Sequence, residues 1–152
     1  MSQFKVLSTN HVGLVVDDLD GFINMMTGLF DYHVLHRGTR DVAVQSRVTN
    51  HPDSIVDIAY IEGGGFVLEV LSYAQCPGVK SYRPRPVDVG HWHLSINIDD
   101  IVSICDEVKD YGLTEVGELI TVNAGPNQGN RIVYVATKEG VVIELIQKKR
   151  LE

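Results

Sequence analysis

The chain has 152 residues, 44 % apolar and 22 % charged, proportions that suit one globular domain or two small fused modules. With 13 Lys and Arg against 20 Asp and Glu, the formal net charge is -7, which leaves out the basic footprint that nucleic-acid binding needs. No apolar run is long enough for a membrane span. The opening Met1-Ser2-Gln3-Phe4-Lys5 lacks the apolar core of a secretory signal, so no membrane partner and a cytoplasmic location are expected.

Leu7 to Val16 is rich in branched apolar residues and reads as a strand. Asp17 or Asp18 can cap the helix that follows, in which Leu19, Phe22, Ile23, Met26, Leu29 and Phe30 recur at helical spacing. Three strands are then expected, at Asp41 to Thr49, Ile55 to Ile61 and Gly65 to Tyr73. Ala74 to Val89 holds Pro77, Gly78, Pro84 and Pro86, which break regular structure. This stretch reads as a linker, giving an N-terminal module over 1–76, a linker over 77–90 and a C-terminal module over 91–152. Lys80, Arg83 and Arg85 within it read as solvated loop cations.

The second module begins with a strand at His93 to Ile98. Asp99 or Asp100 caps a helix whose stripe is Ile101, Ile104, Cys105, Val108 and Tyr111. Short strands near Glu115, at Arg131 to Ala136 and at Val141 to Gln147 follow, with a polar, glycine-rich loop at Asn123 to Asn130. Cys76 and Cys105 form neither a CxxC pair nor a disulfide framework, and Cys105 on its apolar stripe reads as a buried thiol.

The two halves repeat one pattern. His11-Val-Gly-Leu-Val-Val-Asp17-Asp18-Leu19 matches His93-Leu-Ser-Ile-Asn-Ile-Asp99-Asp100-Ile101, and Gly65-Phe-Val-Leu-Glu69-Val-Leu matches Gly140-Val-Val-Ile-Glu144-Leu-Ile. Each half therefore reads as one β-α-β-β-β unit. Side chains alternate along a strand, so Glu69 shares a face with Val67 and Leu71, and Glu144 with Val142 and Ile146. An ionised carboxylate in such an apolar strand must be compensated, and here the need arises twice at equivalent positions. One divalent metal ion held by His11, Glu69, His93 and Glu144 answers both; two imidazoles and two carboxylates suit Zn, Ni, Co, Mn or Fe and leave positions open for substrate. His91 precedes His93 by two residues and shares its face. Asn97 shares the face of His93 and Tyr73 that of Glu69, while Arg131 opens the penultimate strand; these four are the candidate substrate contacts. His33, His36 and His51 lie outside the repeat and read as surface residues.

The two histidine segments and Gly140-Val-Val-Ile-Glu-Leu-Ile together resemble the vicinal oxygen chelate superfamily, which includes glyoxalase I, methylmalonyl-CoA epimerase, extradiol dioxygenases and fosfomycin-resistance enzymes. The resemblance spans nearly the whole chain. It implies an α+β fold of two tandem βαβββ modules in a curled mixed sheet around a central metal cleft, and a homodimer with a small-molecule substrate. The two-His, two-Glu set is most similar to that of glyoxalase I. It implies a metal-dependent isomerase or lyase acting on an alpha-hydroxy or keto carbonyl compound through an enediolate, with Glu69 or Glu144 as the catalytic base. Glyoxalase I carries an arginine four residues after its first histidine to hold glutathione; Val15 stands there in this sequence and argues against a glutathione adduct. The frequent Asp-Pro-Asp-Gly turn is replaced by Thr137-Lys138-Glu139-Gly140. Two other functions occur in the same superfamily: an Fe(II) extradiol-type dioxygenase, which uses two histidines and one glutamate, and a non-catalytic drug-binding protein, which lacks the metal residues.

Overall fold

Two aspartates decide where each half turns from strand to helix. In the computed structural model of the protein, which describes residues 4–76 and 78–149, the Asp18 carboxylate accepts from the Gly21 amide at 2.9 Å and caps α1 (Leu19–Leu29). Asp100 accepts from the Val102 and Ser103 amides at 3.0 and 3.3 Å and caps α3 (Ile101–Glu107). The second aspartate of each Asp-Asp pair is thus the cap. Pro77, assigned above to the linker, lies outside the described residues.

The chain forms two compact units that divide between Val79 and Lys80. The fold is α+β, with one mixed sheet in each. Unit 1 runs β1 (Val12–Val15), α1, β2 (His33–Thr39), α2 (Val42–Thr49), β3 (Ile55–Gly63) and β4 (Phe66–Gln75). Its sheet order is β1-β4-β3-β2, with β1 parallel to β4 and the other neighbours antiparallel. Unit 2 runs β5 (His93–Ile98), α3, a 3-10 turn, β6 (Thr114–Glu115), β7 (Ile120–Thr121), β8 (Arg131–Ala136) and β9 (Val142–Gln147). Its order is β5-β9-β8-β6, with β7 also on β8 and β5 parallel to β9. The β-α-β-β-β plan holds in both, with α2 added in unit 1 and the second strand of unit 2 split into β6 and β7. Among the described residues no helix is long and apolar enough to cross a membrane.

Two readings of unit 1 are corrected. Val42–Thr49 is a helix, not a strand: its three valines favour strand, but Asp41 accepts from the Val44 amide at 2.9 Å and Asn50, at φ 57°, ends it in the left-handed conformation. The strand expected there is β2, which escaped notice because all but one of its residues are exposed and no apolar alternation marks it. Likewise the first strand is shorter than Leu7 to Val16. It pairs only along Val12–Val15 with Leu68–Leu71, and His11 immediately precedes it.

Alternation divides each sheet into two faces. In unit 1, Ala59 and Ile61 pair with Val70 and Leu68, and all four are buried, as are Phe22, Met25 and Met26 of α1, which packs on β3 and β4. In unit 2, Val133 and Val135 pair with Leu145 and Ile143, with Ile101, Cys105, Val108 and Leu113 buried as well. Burial raises the Cys105 thiol above its usual range, as expected of a structural cysteine. The opposite face of sheet 1 holds a smaller apolar cluster of Val56, Ile58 and Leu71 with Tyr60 and Tyr73 against it.

The β3–β4 hairpin pairs Gly63 with Phe66 across Gly64 and Gly65, both at positive φ (59° and 77°), as a two-residue turn between twisted strands demands. The β8–β9 hairpin pairs Ala136 with Val142, so residues 137–141 form a longer loop. Gly63 itself is needed for space: a Cβ there would stand 2.4 Å from the ring of the buried Tyr32. Gly63→Ala is expected to destabilise the protein by about 1–3 kcal/mol, the range for an overpacked core, measured by urea denaturation. An unchanged midpoint would show that Tyr32 yields freely.

Candidate functional site

The register places the same three residue types together in each unit. Glu69 on β4 pairs with Gly13 on β1 and with Tyr60 on β3. Glu144 on β9 pairs with Ser95 on β5 and with Tyr134 on β8. Gly13 and Ser95 each follow a candidate histidine by two residues, so both histidines enter at the same offset from their glutamate. His11 Nε2 lies 3.2 Å from Glu69 Oε2, and His93 Nε2 lies 3.7 Å from Glu144 Oε2. The tyrosine rings support the imidazoles: the His11 and Tyr60 centroids are 5.3 Å apart edge to face, and those of His93 and Tyr134 are 5.0 Å apart. Each unit thus holds a His–Tyr–Glu set.

In unit 1 the set is more heavily bonded. His11 Nδ1 is 2.6 Å from Asn10 Oδ1, an acceptor for the ring N–H, and its Nε2 faces Glu69. Tyr60 and Arg40 both donate to Glu69 Oε1, and Arg40 also donates to the Tyr60 hydroxyl at 2.8 Å. Burial acts to raise the Glu69 carboxyl, but the hydrogen bonds from Tyr60 and Arg40 and the charges of Arg40 and His11 outweigh it and hold the group below the ordinary carboxylate range. Burial, and then the hydrogen bond to Glu69, raise the Tyr60 hydroxyl. In unit 2, burial and then the Glu144 charge raise the Tyr134 hydroxyl.

The donor set fits a divalent ion. The side chains of Glu69 and Glu144 are 11 % and 15 % exposed, whereas His11 and His93 are 28 % and 32 % exposed, so the carboxylates are sheltered while the imidazoles are reachable. An imidazole nitrogen and a carboxylate oxygen facing each other at 3.2 Å are held together by a positive group between them, either a proton or a metal. The facing atoms of each pair, an imidazole nitrogen and a carboxylate oxygen 3.2 or 3.7 Å apart, are donors of the kinds that hold such ions. Among the described residues no group of three or more His, Cys, Asp or Glu side chains converges as a metal cluster; what the structure shows is a His–Glu pair in each unit.

A model of the Glyoxalase/Bleomycin resistance protein/Dioxygenase superfamily matches residues 8–145. The chain belongs to this superfamily. A relative named 2-epi-5-epi-valiolone epimerase, from Actinomyces sp., is 28 % identical over 145 residues, covering 92 % of this chain and 79 % of the relative. A relative named "Probable lactoylglutathione lyase", from Vibrio cholerae, is 29 % identical over 153 residues, covering 99 % of this chain and 95 % of its own. The superfamily fold is seen in the crystal structure of a glyoxalase family protein from Bacillus cereus, with a TM-score of 0.81, 24 % identity and 99 % of each chain covered. A fosfomycin resistance protein from Listeria monocytogenes, solved with Mn(II) and sulfate, superposes with a TM-score of 0.64 at 13 % identity, covering 95 % of each chain.

The other candidates are placed as follows. The His91 ring stacks on His93 with centroids 5.6 Å apart, and both its ring nitrogens are buried without a hydrogen-bond partner among the described residues. Asn97 is exposed on β5, two positions beyond Ser95. Tyr73 accepts a hydrogen bond from Gln45 of α2 at 2.5 Å, and Arg131 Nη1 reaches Gln147 at 3.5 Å, so each is bonded to a partner other than the His–Glu pairs. Arg40, Tyr60, Tyr134 and Asn10 were not found by reading the sequence. Tyr60 precedes Glu69 by nine residues and Tyr134 precedes Glu144 by ten, and that offset of one hides them from a gapless comparison of the halves. Asn10 was adjacent to a candidate ligand; Arg40 has no counterpart in the repeat to point to it.

Proposed function

We propose that the protein is a divalent-metal-dependent isomerase or lyase acting on a small hydroxy-carbonyl or keto-carbonyl compound that binds through neighbouring oxygens. The observation that carries this reading is the His–Glu pair repeated at one register in both units. His11, Glu69, His93 and Glu144 would hold one ion, with Zn, Ni, Co, Mn and Fe all suited to the donors, and a homodimer as the working assembly. When bound, such an ion acts as a Lewis acid toward a carbonyl. The chain's own part is proton transfer: Glu69 or Glu144 removes the proton next to the carbonyl, and the other returns it, to the opposite face of the same carbon in an epimerisation or to the neighbouring carbon in an internal redox isomerisation. Relatives named as an epimerase and a lyase support that class of reaction. Val15, 57 % exposed on β1, offers no cation to a glutathione carboxylate, which supports a substrate other than a glutathione adduct. His91, Asn97, Tyr73 and Arg131 are proposed substrate contacts, with His91 favoured by its two ring nitrogens, which have no hydrogen-bond partner among the described residues.

The test is metal content of protein purified without chelator, comparing wild type with Glu69→Ala. About one metal per chain, largely lost in the variant, is the expected result. No metal in wild type, even after reloading, would overturn the reading. One observation favours a second reading: Arg40 occupies Glu69 Oε1. A site of His11, His93 and Glu144 alone would suit an Fe(II) extradiol-type dioxygenase. Full metal retention in Glu69→Ala, with oxygen consumed on a catechol and iron, would favour it.

A further inference from the structure

The two His–Tyr–Glu sets match in residue type, but among the described residues only in unit 1 does an arginine sit on the glutamate. Arg40 lies between β2 and α2, and its place is fixed on both sides: its own amide donates to the Val56 carbonyl at 3.0 Å, and the next residue, Asp41, caps α2. From there one guanidinium nitrogen reaches both the Tyr60 hydroxyl and Glu69 Oε1. Oε1 therefore receives two hydrogen bonds, while Oε2 faces His11. In unit 2, His93 is the only basic side chain within ion-pair distance of Glu144 among the described residues.

We propose that Arg40 is a positioning residue of the metal site, acting through Glu69. Together with Tyr60 it fixes the carboxylate by Oε1 and presents Oε2 alone as ligand oxygen, so that unit 1 carries its His–Glu pair pre-ordered. This rests on the metal-dependent reading above. A glutamate has three side-chain torsions to order, and charge-assisted bonds to a guanidinium are among the strongest means of ordering them. Because the guanidinium sits on Oε1, the oxygen facing His11 keeps its lone pairs for a metal. The α2 insertion then has a role in the site: its capped start holds Arg40 in place.

The test is Mn(II) binding to the purified protein, followed by the electron paramagnetic resonance signal of free Mn(II), for wild type, Arg40→Met, Arg40→Lys, Glu69→Gln and Glu144→Gln. Arg40→Met is expected to weaken binding roughly tenfold, the lower end for loss of a partner that orients a metal ligand. Arg40→Lys should recover part of the loss, since its ammonium can reach Oε1 without also holding Tyr60. Arg40→Met should add nothing in the Glu69→Gln background and keep its full effect in the Glu144→Gln background. Unchanged affinity in Arg40→Met overturns the proposal, and tighter affinity does so by showing that Arg40 competes with the metal for Glu69. Should Arg40→Met fail to fold, Arg40→Lys decides alone: weaker binding than wild type supports positioning, and equal binding overturns it. Wild type that takes up no Mn(II) overturns the metal-dependent reading and this proposal together; a bound wild type with an unaffected variant overturns this one only.

Discussion

Glu69→Gln is expected to lower the stability of the chelator-treated protein by about 1–3 kcal/mol at neutral pH, the cost of leaving a part-buried hydrogen-bonding group without its partner. Glutamine keeps the volume and removes the charge, leaving Arg40 without its counter-ion. The cost stays within this range because the Arg40 side chain is 33 % exposed and water can partly compensate it. The pH dependence has a definite sign. Burial alone would raise the Glu69 carboxyl, yet Tyr60, Arg40 and His11 hold it below its ordinary value of 4.5 in the folded state. A group depressed on folding contributes stability above its unfolded value and loses that contribution as pH falls through the folded one. The difference between wild type and Glu69→Gln should therefore be flat around neutrality and shrink once pH drops below about 4.5. Urea denaturation at stepped pH measures it. A difference that grows on acidification would contradict the ion pair.

Leu145→Ala is expected to cost about 2–5 kcal/mol, as for other buried leucines. Leu145 is fully buried on β9, the strand flanked by β5 and β8, and pairs with Ile96 and Val133. Side chains alternate along β9, so the cavity opens on the face opposite Glu144. The folded variant should accordingly bind Mn(II) within about threefold of wild type, since the ligand's own face keeps its packing. Urea denaturation and Mn(II) titration of one preparation test both parts. A large loss of affinity with little loss of stability would mean that β9 shifts as a body when its core side is emptied.

The sequence made the plan of the units legible because it is written twice. Histidine, Asp-Asp cap and glutamate recur at matching offsets, and the structure returns a His–Glu pair and a capped helix in each unit. Elements without a repeat partner or an apolar rhythm were harder to read. The segment His33–Thr39 is exposed on an outer strand, so burial leaves no period in it. In Val42–Thr49 the valines signal strand, and the outcome is decided by one aspartate cap that local propensity does not weigh. The supporting residues were invisible for a different reason. Arg40 reaches Glu69 across 29 positions, a contact created by folding, and Tyr60 and Tyr134 meet their glutamates only once strand register is known.

The two hairpins, one closed by Gly64-Gly65 and the other by residues 137–141, keep tyrosine opposite glutamate although their connections differ in length. Length changes are absorbed outside the paired stretch, where they leave the pairing of the strands intact. Inserting a single residue between Phe66 and Glu69 would instead put the carboxylate where Val70 stands, opposite Ala59 on the buried face of the sheet. The hairpin tips are thus the places where this chain can be lengthened, tagged or recombined with other members of the superfamily while its chemistry stays in frame.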